Sequence, residues 1–226
     1  MESLTPTKQP IAIRPEHVAS STTTIQVKQH SASWSSGNFT ISSTTTAEEP
    51  LLNKLFSVDG DVASLSQRRH FRDASGLPLF EISRKKVGVT WYLHLPGESS
   101  NKGNSSEPIA TIVPKWSALK DKFDVHLRNA AANGEETILE VRGQNVWKTK
   151  THVTHRGKLV MVVKLTDVAA VYLPGKRPSW EVVVAEGMDL SLASVIAVLL
   201  ATVLYQSSGK GKEPANNDVP IEGNNT

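Results

Sequence analysis

Apolar and polar residues alternate with a two-residue period over much of the chain. Phe123, Val125 and Leu127 are each followed by a polar residue, and residues 138–142 continue this alternation. Such a period is typical of β-strands that bury one face. Together with comparable short apolar runs, the pattern predicts about twelve strands. The predicted strands cover residues 10–14, 24–29, 38–42, 54–58, 78–83, 89–95, 109–113, 123–128, 138–142, 146–154, 159–165 and 180–185.

The segment from Leu190 to Tyr205 differs from the rest because it is apolar on every side of a helix. It contains no charge, proline or glycine, and Asp189 before it is a suitable N-cap. At about 1.5 Å per residue it spans roughly 24 Å, short of the ~30 Å hydrocarbon core of a bilayer. A helix of this kind must be enclosed by protein or lipid. Its length, and the positions of Lys210 and Lys212 beyond it, favour enclosure by protein over a membrane tail anchor.

Strands and helix together predict an all-β fold with one helix, a closed barrel of about twelve strands around the C-terminal helix. A stripe of small residues at Ala193, Ala197 and Ala201 allows a strand to approach the helix closely. Four tryptophans are expected to pack in this barrel: Trp91, Trp116, Trp147 and Trp180. The predicted domain organisation is a loose segment over residues 1–9, a barrel domain over 10–206 and a disordered polar tail over 207–226.

Composition narrows the classes of function. The 226 residues include 25 Lys and Arg against 22 Asp and Glu, a formal net charge of +3, so nucleic acid is not expected as a partner. The chain has no cysteine, which excludes disulfides, thiolate metal sites, a cysteine nucleophile and palmitoylation. No signal peptide is visible at the N-terminus. We expect a monomer in the cytoplasm, with the membrane surface and the nucleus as alternative locations.

Motifs of enzymes and metal sites do not appear in the sequence. His152 and His155 are three residues apart in a predicted strand, so their side chains point to opposite faces and do not share a metal. The acidic pair at Asp59 and Asp61 lacks the further ligands of a calcium loop. Nucleophile-elbow, phosphate-loop and dinucleotide motifs are missing. We therefore predict no enzymatic activity, no catalytic residue, no metal and no cofactor.

The densest group of basic residues is the triplet Arg84, Lys85 and Lys86, at the end of a predicted strand. A second basic cluster lies at residues 68–72. Basic side chains at a strand end are suited to hold an inositol phosphate headgroup through charge-assisted hydrogen bonds. The alternative is a solvated turn that keeps the barrel edge soluble. The triplet is the candidate phosphoinositide-binding site.

Short sequence motifs occur in a fixed order along nearly the whole chain. They are residues 10–20 (PIAIRPEHVAS), 37–40 (GNFT), 73–85 (DASGLPLFEISRK), Trp91, 122–127 (KFDVHL), 141–143 (VRG) followed by Trp147, and 181–189 (EVVVAEGMD). Their order, from about Pro10 to Gln206, resembles the LURP-one-related proteins of the tubby C-terminal-like superfamily. Where that family commonly has Pro-Gly before the helix, this chain has Glu186-Gly187. The resemblance implies a twelve-stranded barrel around a C-terminal helix.

The resemblance implies little about activity. Related tubby domains bind phosphoinositides, and related phospholipid scramblases depend on palmitoylation and calcium. Two functions stay open. The first is a non-enzymatic binding or adaptor module that contacts anionic membrane lipids or a protein partner, and the second is a scramblase-like or tail-anchored protein with helix 190–205 in lipid. Lipid binding by the basic triplet needs further cations from a neighbouring loop, for which Lys115, Lys120 and Lys122 are the candidates.

Overall fold

The structure of the protein is a computed structural model. It describes residues 2–30, 38–44, 52–60, 67–85, 89–98, 107–115, 122–172 and 177–207. The strands are β1 (Thr23–Gln29), β2 (Phe39–Thr44), β3 (Leu52–Gly60), β4 (Arg69–Asp73), β5 (Pro78–Arg84), β6 (Trp91–His94), β7 (Ala110–Pro114), β8 (Lys122–Asn129), β9 (Glu135–Gly143), β10 (Lys150–His155), β11 (Lys158–Leu165) and β12 (Ser179–Val184). The helices are α1 (Ala169–Tyr172) and α2 (Leu190–Ser207), with 3-10 turns at Pro15–His17 and Ala130–Ala132.

The twelve strands form one closed antiparallel barrel. Each strand pairs with its neighbours in the sequence, and β1 closes the ring by pairing with β12. Register shifts in the β2–β3, β4–β5 and β10–β11 pairs mark bulges, in which β3, β5 and β11 carry the extra residue and help the sheet to curve. Closure leaves no sheet edge exposed along the ring, as the alternating pattern predicted. The predicted fold class is therefore confirmed.

Helix α2 fills the lumen of the barrel. Every side chain from Ser191 to Thr202 is buried, whichever way it points from the helix axis. The predicted small stripe of Ala193, Ala197 and Ala201 is buried as well, and the helix runs closest to β12 and β1. Within the part of the chain that the structure describes, no helix is long and apolar enough to cross a membrane. The barrel thus encloses residues 191–202 of α2.

Two buried hydroxyl groups of α2 form hydrogen bonds within the helix. The hydroxyl of Ser194 donates to the carbonyl of Leu190 at 2.7 Å, and that of Thr202 donates to Val198 at 2.8 Å. Each bond returns to the preceding turn, a geometry that lets a hydroxyl residue remain in a helix. A lumen lined by apolar side chains therefore accepts these residues without an orphaned donor.

Asp189 joins the start of α2 to an N-terminal plug, which we define as residues 10–19. One carboxylate oxygen of Asp189 accepts from the backbone N–H groups of Ile13 and Arg14 at 3.0 and 2.8 Å. The other accepts from the N–H of Ser191 at 2.7 Å, from its hydroxyl at 2.7 Å, and from the N–H of Leu192. The predicted N-cap is therefore confirmed, and the same side chain also fastens the plug.

The buried side-chain amide of Asn129 holds the other side of the plug. Asn129, at the end of β8, accepts from the N–H of Ala12 at 3.0 Å and donates to the carbonyl of Pro10 at 2.8 Å. Ile11 and Ala12 are buried, and Ile11 bridges to Met188. The plug thus closes the end of the barrel at which α2 begins.

Two predicted strand positions differ from the structure. Residues 10–14 were predicted as a strand, but they form the irregular plug, whose N–H groups bond to side chains of Asn129 and Asp189. The missing strand is β4, which was not predicted because its first inward residue is Arg69 rather than an apolar residue. The predicted strand at 146–154 begins only at Lys150.

The segment before the plug lies against the barrel wall. Thr5 N–H donates to Leu159, Thr7 N–H donates to Glu186, and Glu2 forms an ion pair with Lys150 at 2.6 Å. Residues 2–9 thus contact β10, β11 and the segment before α2. The predicted tail beyond Ser207 lies outside the described residues.

Candidate functional site

The two ends of the barrel can be told apart by the direction of α2. Asp189 marks the end closed by the plug, and Leu200, two turns before the end of the helix, lines a small cavity with Lys148 and Thr149. The end of the barrel that holds this small cavity is called the basic end. It comprises the β1–β2, β3–β4, β5–β6, β7–β8, β9–β10 and β11–β12 connections, together with the strand residues that border them.

Charged residues are distributed unequally between these ends. Among the described residues of the basic end, the cationic ones are Arg68, Arg69, Arg84, Lys85, Lys115, Lys122, Lys148, Lys150 and Arg177, and the acidic one is Asp167. The strand connections at the plugged end, including the one into α2, carry Asp73, Glu98, Glu107, Glu135, Glu186 and Asp189 against Arg156 and Lys158. The mild net charge of the whole chain thus hides a strongly polarised barrel.

The predicted basic triplet begins on the rim of the basic end. Arg84 is the last residue of β5 and is half-buried, whereas Lys85 follows it and is exposed. The backbone N–H of Lys85 donates to Thr90 at 2.8 Å, so the start of this connection continues the β5–β6 pairing. Lys86 lies outside the described residues.

Further cations lie on the neighbouring strands of the same rim. Lys115 follows β7 and Lys122 begins β8, and the N–H of Lys115 donates to the carbonyl of Lys122 at 2.7 Å. The β7 strand is two places from β5 in the ring. Neighbouring strands lie about 4.8 Å apart, so Lys85 and Lys115 are separated by roughly 10 Å along the rim. Lys120, the remaining predicted contributor, lies outside the described residues.

A buried carboxylate fixes part of this rim. Asp124, on the outer face of β8, contacts Lys115 Nζ at 2.5 Å and Arg142 Nη2 at 2.7 Å. Arg142 also donates to the carbonyls of Phe123 and Val141. Burial alone would raise the pKa of Asp124, but the hydrogen bonds from Lys115 and Arg142 hold it below its ordinary value. The carboxylate therefore stays ionised and positions both cations.

We expect Asp124→Asn to lower the free energy of unfolding by about 2 kcal/mol at neutral pH, because two charge-assisted hydrogen bonds are weakened. The pKa of Asp124 is lower in the folded than in the unfolded state, so its contribution is complete above about pH 4 to 5 and is lost as the pH falls through the folded value. The free energies of unfolding of parent and variant, measured in urea from pH 2 to 7, should therefore converge as the pH falls.

Glu140→Gln is the matched control for this prediction. Glu140 also contacts Arg142, at 3.5 Å, but its side chain is more than half exposed. An exposed pair of this kind contributes about 0 to 1 kcal/mol. Equal losses of stability in Asp124→Asn and Glu140→Gln would contradict the assigned role of Asp124. So would a difference in free energy of unfolding between parent and Asp124→Asn that persists in acid.

The cluster at residues 68–72 is not a uniformly basic surface. Arg69 points into the barrel, is 1 % exposed, and lies over the ring of Phe39 at 5.6 Å. Burial lowers the pKa of Arg69 to about 10, which leaves the guanidinium charged at neutral pH. Arg72 pairs with Asp59 on the outer face. Among these residues, Arg68 borders the basic end beside the end of β5.

The tryptophans divide into two groups. Trp91 and Trp180 are buried, as predicted. Trp147 was also predicted to pack in the barrel, but it is 69 % exposed in the β9–β10 connection, so this prediction was wrong. Trp116 lies outside the described residues. A signal for the exposed position was present in the sequence, since Gly143 and Asn145 before it are typical turn residues.

The histidine pair of β10 lies in two separate environments. His152 contacts Glu2 at 3.1 Å, whereas His155 contacts the carbonyl of Ile138 at 3.1 Å. Within the described ranges, no three His, Asp or Glu side chains converge as metal ligands would.

A cavity of about 200 Å³ lies at the plugged end, between the N-terminal segment and the β10–β11 turn. Its charged lining is mixed, because Lys8, Arg156 and Lys158 face a wall that includes Glu135, with Arg156 and Glu135 3.7 Å apart. The lining of this cavity therefore carries both signs of charge.

Comparison with known proteins agrees with this architecture. The model of the LURP-one-related family matches residues 23–201. No curated protein matches the chain significantly. A crystal structure of a protein from Arabidopsis thaliana is similar with a TM-score of 0.55 and 19% sequence identity, over 86% of this chain and 98% of that one. At this identity the likeness concerns the fold alone.

Proposed function

The chain belongs to the LURP-one-related family, and we propose that it is a non-enzymatic module that binds reversibly to anionic phospholipid through the basic end of its barrel. The observation that carries this proposal is the unequal distribution of charge between the two ends. Apart from the buried Arg69, eight basic residues and one acidic residue border the described part of the basic end. Such a surface is suited to the negative potential of a membrane leaflet.

The expected strength of binding follows from the number of cations that reach the surface together. Each basic side chain near an anionic leaflet contributes about 1 kcal/mol. Lys85 and Lys122 are exposed, whereas Lys115 is held by Asp124 and Lys150 by Glu2. A few cations acting together give peripheral attachment. Because the attraction is screened beyond about 8 Å at physiological ionic strength, binding should weaken as salt is added.

Arg84 and Lys85 are the residues of the predicted triplet that support a headgroup site. Both lie where β5 reaches the rim, next to β4 on one side and β6 on the other. Guanidinium and ammonium groups on a rigid strand end are suited to donate charge-assisted hydrogen bonds to phosphate oxygens. A headgroup with several phosphates, as in phosphoinositides, offers more acceptors to this rim than a single phosphodiester.

We expect the triple substitution Arg84→Ala, Lys85→Ala and Lys86→Ala to abolish flotation with vesicles of phosphatidylcholine and phosphatidylinositol bisphosphate. Three cations contribute about 3 kcal/mol to attachment, a factor of roughly 100 in affinity. Flotation of the parent should also fall as NaCl rises from 50 to 500 mM, because screening increases. The circular dichroism spectrum should not change, because Lys85 is exposed and Arg84 lies at the strand end.

The matched control removes the same charge from the plugged end. Lys8, Arg156 and Lys158 are exposed there, and their joint replacement by Ala should leave flotation within about twofold of the parent, because these cations lie at the far end of the barrel. Equal losses in both triple variants would indicate a response to net charge alone. Parent protein that fails to float with any anionic vesicle would overturn the proposed function.

A further inference from the structure

Exposed apolar side chains accompany the cations of the basic end. Trp147 is 69 %, Val89 53 % and Val146 50 % exposed, and all three lie in connections of this end. A single exposed apolar residue is ordinary on a protein surface. Val146 and Trp147 differ because they are adjacent and are followed closely by Lys148 and Lys150. The tip of the β9–β10 connection is thus apolar, and its base is cationic.

Hydrogen bonds hold the β9–β10 connection in a defined turn. Asn145 accepts from the N–H of Thr149 at 3.0 Å and donates its own amide N–H to the Thr149 hydroxyl at 2.7 Å. The N–H of Lys148 donates to the carbonyl of Asn145 at 3.2 Å, and Lys148 has a φ of 56°. A left-handed lysine is disfavoured on its own, and hydrogen bonds on both sides hold it in place. The turn therefore presents Val146 and Trp147 outward at little further cost in conformational entropy.

We propose that this turn inserts Val146 and Trp147 into the headgroup region of an anionic phospholipid bilayer. The inference rests on the proposed function and adds to it an apolar contact and an orientation of the barrel. An indole ring is suited to this depth, since its apolar body enters the acyl boundary while its N–H reaches polar groups. Lys148 follows the tip directly, and its side chain is long enough to keep the ammonium at the phosphate level while the tip inserts.

Charge complementarity identifies lipid as the occupant of this surface. Lys148 and Lys150 follow the apolar tip, and the exposed Lys122 lies on the strand next to β9, opposite Arg142, which pairs with Asp124. A predominantly cationic rim around an apolar tip is suited to a layer of phosphates over hydrocarbon. With the turn inserted, Arg84 and Lys85 on the same end face the same leaflet.

The test uses tryptophan fluorescence of the full chain with phosphatidylcholine vesicles that contain phosphatidylinositol bisphosphate and bromine-labelled acyl chains. Trp91 and Trp180 are buried in the barrel, out of reach of a contact quencher, and Trp34 and Trp116 are replaced by Phe in every protein compared so that Trp147 is the reporter. We expect quenching in the parent and most of that quenching to be lost in Trp147→Phe, which keeps the apolar ring. Trp147→Ala should weaken vesicle binding about tenfold, as expected when roughly 60 Å² of apolar contact is removed.

Leu77→Ala is the matched control, since Leu77 is 65 % exposed in the β4–β5 turn at the plugged end. It should bind vesicles as the parent does. If the parent floats but Trp147→Ala floats equally well and Trp147→Phe is still quenched, insertion is excluded while the proposed function stands. If Trp147→Ala loses flotation without any quenching in the parent, the turn supports binding without entering the bilayer, and the inference is wrong. Parent protein that does not float contradicts both.

Discussion

Replacing Asp189 with Ala is expected to be the most destabilising single substitution in the barrel, with a loss of about 4 kcal/mol in the free energy of unfolding. The carboxylate is 0 % exposed and accepts from the backbone of Ile13, Arg14 and Ser191, among other donors. A lost N-cap costs about 1 kcal/mol, and each buried donor left without an acceptor adds about 1 to 3 kcal/mol. Chemical denaturation followed by circular dichroism measures the difference.

Asp189→Asn separates the two roles of this side chain. The amide keeps one acceptor oxygen, but its NH₂ group must face donors from either the plug or the helix, so roughly half of the loss is expected. Amide hydrogen exchange would show which side is released, at Ile13 and Arg14 or at Ser191. Asp167→Ala is the surface control, because Asp167 caps the short α1 through the N–H of Ala170. It should cost under about 1 kcal/mol, and equal effects at Asp167 and Asp189 would refute the plug.

Ala197→Leu is expected to lower the free energy of unfolding by about 1 to 3 kcal/mol or more. Ala197 is 0 % exposed in the middle of the small stripe of α2, and a lumen closed on all sides has no room for three further carbon atoms without displacing strands. The same change at Ala169, which is exposed on α1, should shift the melting temperature by little. Equal melting temperatures for parent and Ala197→Leu would mean that the barrel does not pack tightly around its helix.

The barrel was predictable from sequence because the inward positions of most strands are apolar. In β8, for example, Phe123, Val125 and Leu127 face the lumen and the residues between them face outward. The prediction failed where a polar group takes a position that the pattern reserves for an apolar one. Arg69 occupies such a position at the start of β4, so the strand was read only as a basic cluster.

The plug shows the opposite error, in which apolar residues suggested a strand that does not exist. Ile11 and Ile13 are buried, but the N–H groups of Ala12 and Ile13 bond to the side chains of Asn129 and Asp189, far away in the sequence. Periodicity describes which residues are buried and not which acceptors their backbone will find. Long-range acceptors of this kind cannot be read from a local window.

The basic end required topology as well as sequence. Arg84 and Lys85 stand out as a run, but Lys115 and Lys122 join them only because β5 to β8 are consecutive in the ring. The exposure of Trp147 was missed for a related reason. A large aromatic side chain is usually buried. The position of Trp147 is set instead by the turn that Asn145 stabilises between β9 and β10.

The pairing of β1 with β12 also means that the barrel cannot close until nearly the whole chain has been synthesised. β1 finds one of its two partners in β12, and the helix that fills the lumen follows β12 in the chain. A growing polypeptide that has made β1 to β11 therefore has two open sheet edges and an empty apolar interior, both of which favour association with other chains. All-β topologies of this kind fold on the millisecond-to-second scale. Completion of α2 is thus the event that commits this chain to its native state.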